Sequence, residues 1–217
     1  MVGASELAFR LLCRRYGTQL AYTPMMNSEL FAVDPAYRQQ EFQCTTEDRP
    51  LVAHFSGNNP QTLLAAARHI EEHCDAIDLN LGCPQRVAYA GHFGSYLLGE
   101  EDRGTVLSIV RALSANLSIP VFVKIRLLDS VPDTIELCTQ LRDAGASLIA
   151  VHARYRVNLV ERSGPGARCP INENPPTKLM RMYLKLPQGT DRPTLTRLYP
   201  SEIDHHRYLP LRTSSWP

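Results

Sequence analysis

Short apolar runs alternate with amphipathic stretches along the first 153 residues. Leu51-Val52-Ala53-His54-Phe55 has the length and composition of a strand, and Asn59 with Pro60 marks a helix start, an Asn N-cap followed by proline at the first helical position. Leu63, Leu64, Ala67 and Ile70 then share one helical face. Ala76 to Asn80 reads as the next strand and is followed by a Gly/Pro loop. Val106, Ile109, Val110 and Leu113 next recur at helical spacing. Pro120 introduces the strand Val121 to Ile125. Asp133, with Glu136 three residues on, is expected to cap a helix that Gly145 stops, and Leu148 to His152 is a further strand. Upstream, Ser5 to Tyr16 reads as a helix ending at Gly17, and Leu20 to Thr23 as a short strand.

Strands and helices alternating at this interval imply a parallel sheet with right-handed crossovers. Five strands alone fit either a closed (β/α)8 barrel or an open doubly wound sheet. The polar residues favour the barrel. Thr23, His54, Asn80, Lys124 and His152 each sit at or near the C-terminal end of a strand, and a barrel gathers those ends on one face, where its chemistry is built. Beyond residue 153 the pattern stops. Nine of the sixteen prolines fall in 165–217, no stretch there sustains a period of 2 or 3.6, and Leu179 to Leu184 is the one short apolar cluster. We therefore expect residues 156–217 to form a divergent, poorly ordered extension, the product of an alternative splice, a frame change or a gene-model error.

Composition sets outer bounds. The chain has 217 residues, 44% apolar and 21% charged, as expected for one globular core with an appendage. No apolar run approaches the roughly 18 residues that cross a bilayer, so no membrane span is expected. The first ten residues lack the segments of a secretory signal, which points to a cytoplasmic protein, with the nucleus also open. Six cysteines without a C-x-x-C pair argue against a zinc site, another metal centre or a disulfide framework. The sign of charge is uneven. Residues 1–153 hold 12 Lys/Arg against 17 Asp/Glu, and residues 154–217 hold 11 against 5. A basic tail on an acidic body suits a nucleic-acid contact or a segment of different origin.

The sharpest local signal is Asp78-Leu79-Asn80-Leu81-Gly82-Cys83-Pro84-Gln85 at a strand end. Glycine and proline around the cysteine force a tight turn that holds a thiol above the sheet. Cys13, Cys74 and Cys138, embedded in amphipathic helices, are expected to pack as small apolar residues; Cys83 is expected to do chemistry.

Ile77 to Pro84, followed by Ala88, Gly91 and Gly94-Ser95, resembles the signature of the tRNA-dihydrouridine synthases, flavin enzymes with a TIM-barrel catalytic domain. Four further segments resemble that family in order: Met1 to Ser5, Tyr22 to Met25, Lys124-Ile125-Arg126 and Val151 to Arg154. Gln85 and Gly91-His92-Phe93-Gly94 are most similar to the eukaryotic type that acts at positions 16 and 17 of the D-loop. The resemblance implies an α/β fold, an incomplete TIM (β/α)8 barrel of about five to six βα units over residues 1–155. It implies FMN as cofactor, NADPH or NADH as reductant, and tRNA as partner, with the oligomeric state left open. In such enzymes reduced FMN delivers hydride to C6 of a uracil and a cysteine protonates C5. That role falls on Cys83, and an ordinary thiol, with a pKa of about 8.5, still carries its proton at pH 7.

The other roles the resemblance implies are distributed over strand ends. Met1, Val2, His54, Lys124 and His152 are expected to bind the flavin, with Lys124 beside its pyrimidine ring. Asn80 is expected at the flavin or uracil edge, with a turn-stabilising amide as the alternative. Arg126 is expected at the flavin phosphate or the tRNA backbone, with an ion pair as the alternative. The sequence departs from the family at His54, where glutamine is common, and at Ala153 and Tyr155. The family's later N-G-x and G-R segments, which grip the FMN phosphate, do not occur in 156–217. We therefore expect this form to be weak or inactive by itself. Two other functions stay open: a flavin oxidoreductase acting on a free pyrimidine, and a non-catalytic remnant whose basic tail binds RNA.

Overall fold

A computed structural model of the chain describes residues 5–156; Met1, Val2 and the expected extension from 157 onward lie outside the described residues. Five strands form one parallel sheet: β1 (Ala21–Asn27), β2 (Leu51–Ser56), β3 (Ala76–Leu81), β4 (Val121–Leu127) and β5 (Leu148–Tyr155). Their order in space is their order in sequence. A doubly wound sheet must reverse its strand order at a switch point, and none occurs here. The described part is an incomplete α/β barrel of the TIM type.

Alternation along each strand separates two faces. One carries Ala53, Phe55, Ile77, Leu79, Leu81, Val121, Val123, Ile125 and Ile149. These pack against the helices in a single apolar core with Leu63, Ala67, Val106, Ile109, Leu113, Leu137 and Leu141. The helices are α1 (Leu7–Arg15), α2 (Ser28–Val33), α3 (Pro35–Glu41), α4 (Pro60–Arg68), α5 (Arg86–Ala90), α6 (Arg103–Asn116) and α7 (Val131–Asp143). Their apolar stripe is what the sequence periodicity records. The opposite face is where polar residues gather. There His54 lies beside Asp78, Asn80 beside Lys124, and Arg126 beside His152.

Two expectations need correction. Asp133 does not cap α7; Ser130 does, its hydroxyl accepting from the Asp133 N–H at 3.1 Å. Pro132, in the first turn, has no N–H to satisfy there, so the helix begins earlier than Asp133 suggested. Helices α2 and α3 were also not anticipated. Asn27 and Asp34 cap them well, but at six and seven residues neither is long enough to show a helical period. Helix α1 is tied down by a buried ion pair. The Arg10 Nε donates to Asp48 Oδ2 at 2.8 Å and the Arg14 Nε to Asp48 Oδ1 at 3.1 Å.

Candidate active site

The site is organised by the end of β3. The Asn80 Oδ1 accepts from the backbone N–H groups of Gly82, at 3.0 Å, and Cys83, at 2.9 Å. This Asx-type turn lifts the chain off the sheet at the cysteine. The carbonyls that follow are held by other segments. The Arg126 Nε donates to the Gly82 carbonyl at 2.7 Å. The Ser95 N–H and hydroxyl both donate to the Cys83 carbonyl at 3.0 Å, and the Tyr96 hydroxyl donates to the Pro84 carbonyl at 3.1 Å. Gly94, at φ +69°, passes so close that a Cβ there would stand 2.6 Å from the Cys83 carbonyl oxygen. The turn is thus fixed from four directions, while the Cys83 side chain stays partly exposed, its Sγ 3.8 Å from the Gln85 Oε1.

Cations line the neighbouring strand ends. Lys124 is the exposed residue of β4, and its side chain has no hydrogen bond among the described residues. Desolvation holds its ammonium below the ordinary lysine range, Asp78 opposes that shift and Arg126 deepens it. Arg126 is 6% exposed and has no carboxylate partner among the described residues; its Nη1 is buried without a hydrogen bond. His152 is half-buried, and desolvation with Lys124, Arg126 and Arg154 nearby keeps its pKa down. A buried, unpaired guanidinium is costly unless an anion meets it. The orphaned Nη1 beside a lysine therefore fits a ligand that carries negative charge, as FMN does.

Beneath these groups lie His54 and Asp78. Burial and the charge of Lys124 lower the His54 pKa to about 3, so the imidazole is neutral. Asp78 is 1% exposed, and its Oδ1 has no hydrogen-bond partner. Burial raises its pKa to about 7 against the pull of Lys124. Its Oδ2 lies 3.8 Å from the His54 Nε2, a separation with no ion pair across it because the ring is uncharged.

Cys83, His54, Lys124, Arg126 and His152 thus come together on the polar face. Asn80 joins them in its alternative role, as a turn-stabilising amide. Its oxygen takes two backbone N–H groups, and its amide nitrogen donates to the His54 Nε2 at 3.0 Å and the Met25 Sδ at 3.2 Å. Nothing on that amide is left for a uracil or flavin edge, so Asn80 shapes the turn. Arg126, likewise, makes no surface ion pair; its first contact is with the thiol turn. Asp78, Gly94, Ser95 and Tyr96 are parts of the site that received no role from the sequence. The signal for Asp78 was present, a carboxylate inside an apolar strand. Among the described residues, no helix is long and apolar enough to cross a membrane, and no three His, Cys, Asp or Glu residues are grouped to hold a metal ion.

The dihydrouridine synthase family model matches residues 1–168. The chain belongs to the dihydrouridine synthase family. It is 44% identical over 167 residues to the tRNA-dihydrouridine(16/17) synthase [NAD(P)(+)] of Saccharomyces cerevisiae, covering 76% of this chain and 39% of that protein. Its identity to the tRNA-dihydrouridine(16/17) synthase [NAD(P)(+)] of Schizosaccharomyces pombe is also 44%, over 158 residues, 72% of this chain and 39% of that one. A human tRNA-dihydrouridine(20a/20b) synthase [NAD(P)+]-like protein is 36% identical over 157 residues, 71% of this chain and 49% of its own length. The chain therefore spans less than half the length of these dihydrouridine synthases, and the family-model match over residues 1–168 contains every site residue named above.

Proposed function

We propose that the chain carries the reaction centre of a tRNA-dihydrouridine synthase, reducing uridine in the tRNA D-loop to 5,6-dihydrouridine with FMN as cofactor and NADPH or NADH as reductant. The observation that carries this reading is the thiol turn, immobilised on every side with Cys83 left accessible next to a cluster of cations. FMN, when bound, supplies the hydride for C6 of the uracil. Lys124, Arg126, His152 and His54 would hold it, the cations meeting its negative charge. Cys83 gives its proton to C5: the S–H bond breaks, a C–H bond forms, and the thiolate regains a proton from water. The turn keeps the sulfur from wandering, so orientation is established before the substrate arrives.

The sequence beyond 155 lacks the phosphate-gripping segments of the family, and in this reading the purified chain retains FMN poorly, so added FMN restores its activity. Stoichiometric flavin absorbance in the purified protein would overturn that part. The function itself is tested by incubating the chain with excess FMN, NADPH and either unmodified tRNA or free uracil, and measuring reduced pyrimidine by mass spectrometry. Product from tRNA alone supports the proposal. Product from free uracil at an equal or greater rate assigns the site to small pyrimidines instead.

A further inference from the structure

His54 lies on the polar face of β2, opposite Asp78, and the structure determines which hydrogen-bonding groups it can offer. Asn80 fixes what His54 can offer. Its Oδ1 faces two backbone N–H groups, so the oxygen and nitrogen of that amide cannot be exchanged without setting donors against donors. The nitrogen must then be the atom 3.0 Å from the His54 Nε2. An N–H pointing at Nε2 requires a bare lone pair there. A neutral imidazole with a bare Nε2 carries its proton on Nδ1. The charged groups facing the ring agree with neutrality. Lys124 on β4 opposes a second positive charge, and Asp78 on β3, at 3.8 Å from Nε2, is itself raised toward its neutral form. The His54 Nδ1 has no hydrogen-bond partner among the described residues, and the side chain, on the polar face, is 11% exposed.

We infer that the Asn80 amide locks His54 in its Nδ1–H form, so that His54 offers the ligand one hydrogen-bond donor and no acceptor and selects a carbonyl oxygen or bare ring nitrogen of a planar heterocycle. A glutamine would offer both a donor and an acceptor from the same place. This rests on the flavin reading for the identity of the heterocycle, and on the Asn80–His54 geometry alone for the tautomer. One residue therefore both bends the thiol turn and sets the hydrogen-bonding polarity of the pocket beside it.

The test is nitrogen NMR of the full chain with labelled histidine, from pH 5 to pH 8, assigned with His54→Gln. The expected result is a proton on Nδ1, a bare Nε2 and no titration across that range. Asn80→Asp, which keeps an oxygen for the turn but turns a second oxygen toward the ring, should move the proton to Nε2. A proton on Nε2 in the wild type, a ring that titrates near pH 6, or no change in Asn80→Asp would overturn the inference. Titration with FMN, followed by flavin fluorescence, gives the independent arm. Loss of one such donor in His54→Ala should weaken FMN binding roughly 3- to 10-fold. Unchanged affinity in His54→Ala overturns the contact. The expected tautomer in a wild-type chain that binds no FMN overturns the flavin reading and leaves the donor assignment supported.

Discussion

Asp78→Asn isolates the electrostatics underneath the site. Burial raises the Asp78 carboxyl from 3.8 to about 7, so the folded state keeps its proton up to about pH 7, while the unfolded chain gives it up near pH 4. Between those values the unfolded state binds fewer protons, and stability falls as pH rises. Each pH unit in that window is worth about 1.4 kcal/mol, so the interval from pH 5 to pH 7 removes roughly 3 kcal/mol; above pH 7 the loss is constant. Asparagine has no proton to lose and its stability lacks that slope. Its extra N–H groups enter a place with no acceptor and cost about 1–3 kcal/mol at every pH. Near pH 5 the variant should be close to wild type or slightly weaker; at pH 8 it should be more stable by roughly 2 kcal/mol. His54 titrates in the opposite sense in both proteins and cancels in the comparison. Urea unfolding of wild type and variant at pH 5 and pH 8 reads this directly. A stability difference that is the same at both pH values would refute the assignment of a buried, proton-holding Asp78.

Other parts of the structure make further predictions. Gly94→Ala places a methyl group 2.6 Å from the Cys83 carbonyl oxygen at positive φ, so it should cost about 1–3 kcal/mol in thermal unfolding and lower dihydrouridine yield more than the FMN affinity. Asp48→Ala leaves the Arg10 guanidinium buried and unpaired, and should cost about 3–5 kcal/mol in urea unfolding without changing the site's chemistry. In thiol labelling of the folded chain, read by peptide mass, Cys83 should react while Cys74 and Cys138 do not. Burial raises those two thiols to about 12 and about 11.

The sheet was legible because its helix-facing strand positions and helix stripes obey two simple periods, and Asn59-Pro60 and Gly145 mark their ends by backbone chemistry. Gly145 indeed stands at φ +108°, just past the end of α7. Helices α2 and α3 escaped because six or seven residues hold too few turns to show a period. At the site, polar strand ends pointed to His54, Lys124 and His152, and the Gly/Pro turn to Cys83. What they do to one another was not readable. That Asn80 spends its whole amide on the turn, His54 and Met25, or that Arg126 reaches from β4 to the Gly82 carbonyl, depends on register between residues 26 to 55 positions apart in the chain. Ser95 and Gly94 support Cys83 from the start of a short 3-10 helix, Gly94–Leu98, that returns to it, a contact no local pattern encodes.

The central claim is that the Cys83 thiol, fixed on its turn, is the proton source for reduction of a uracil in tRNA. The most direct measurement is the dihydrouridine content of unmodified tRNA after incubation with NADPH and saturating FMN, comparing wild type with Cys83→Ala at equal bound flavin. The account predicts dihydrouridine from the wild type and at least a hundredfold less from Cys83→Ala, in keeping with the usual worth of a positioned proton donor. Dihydrouridine formed by Cys83→Ala at the wild-type rate would contradict it.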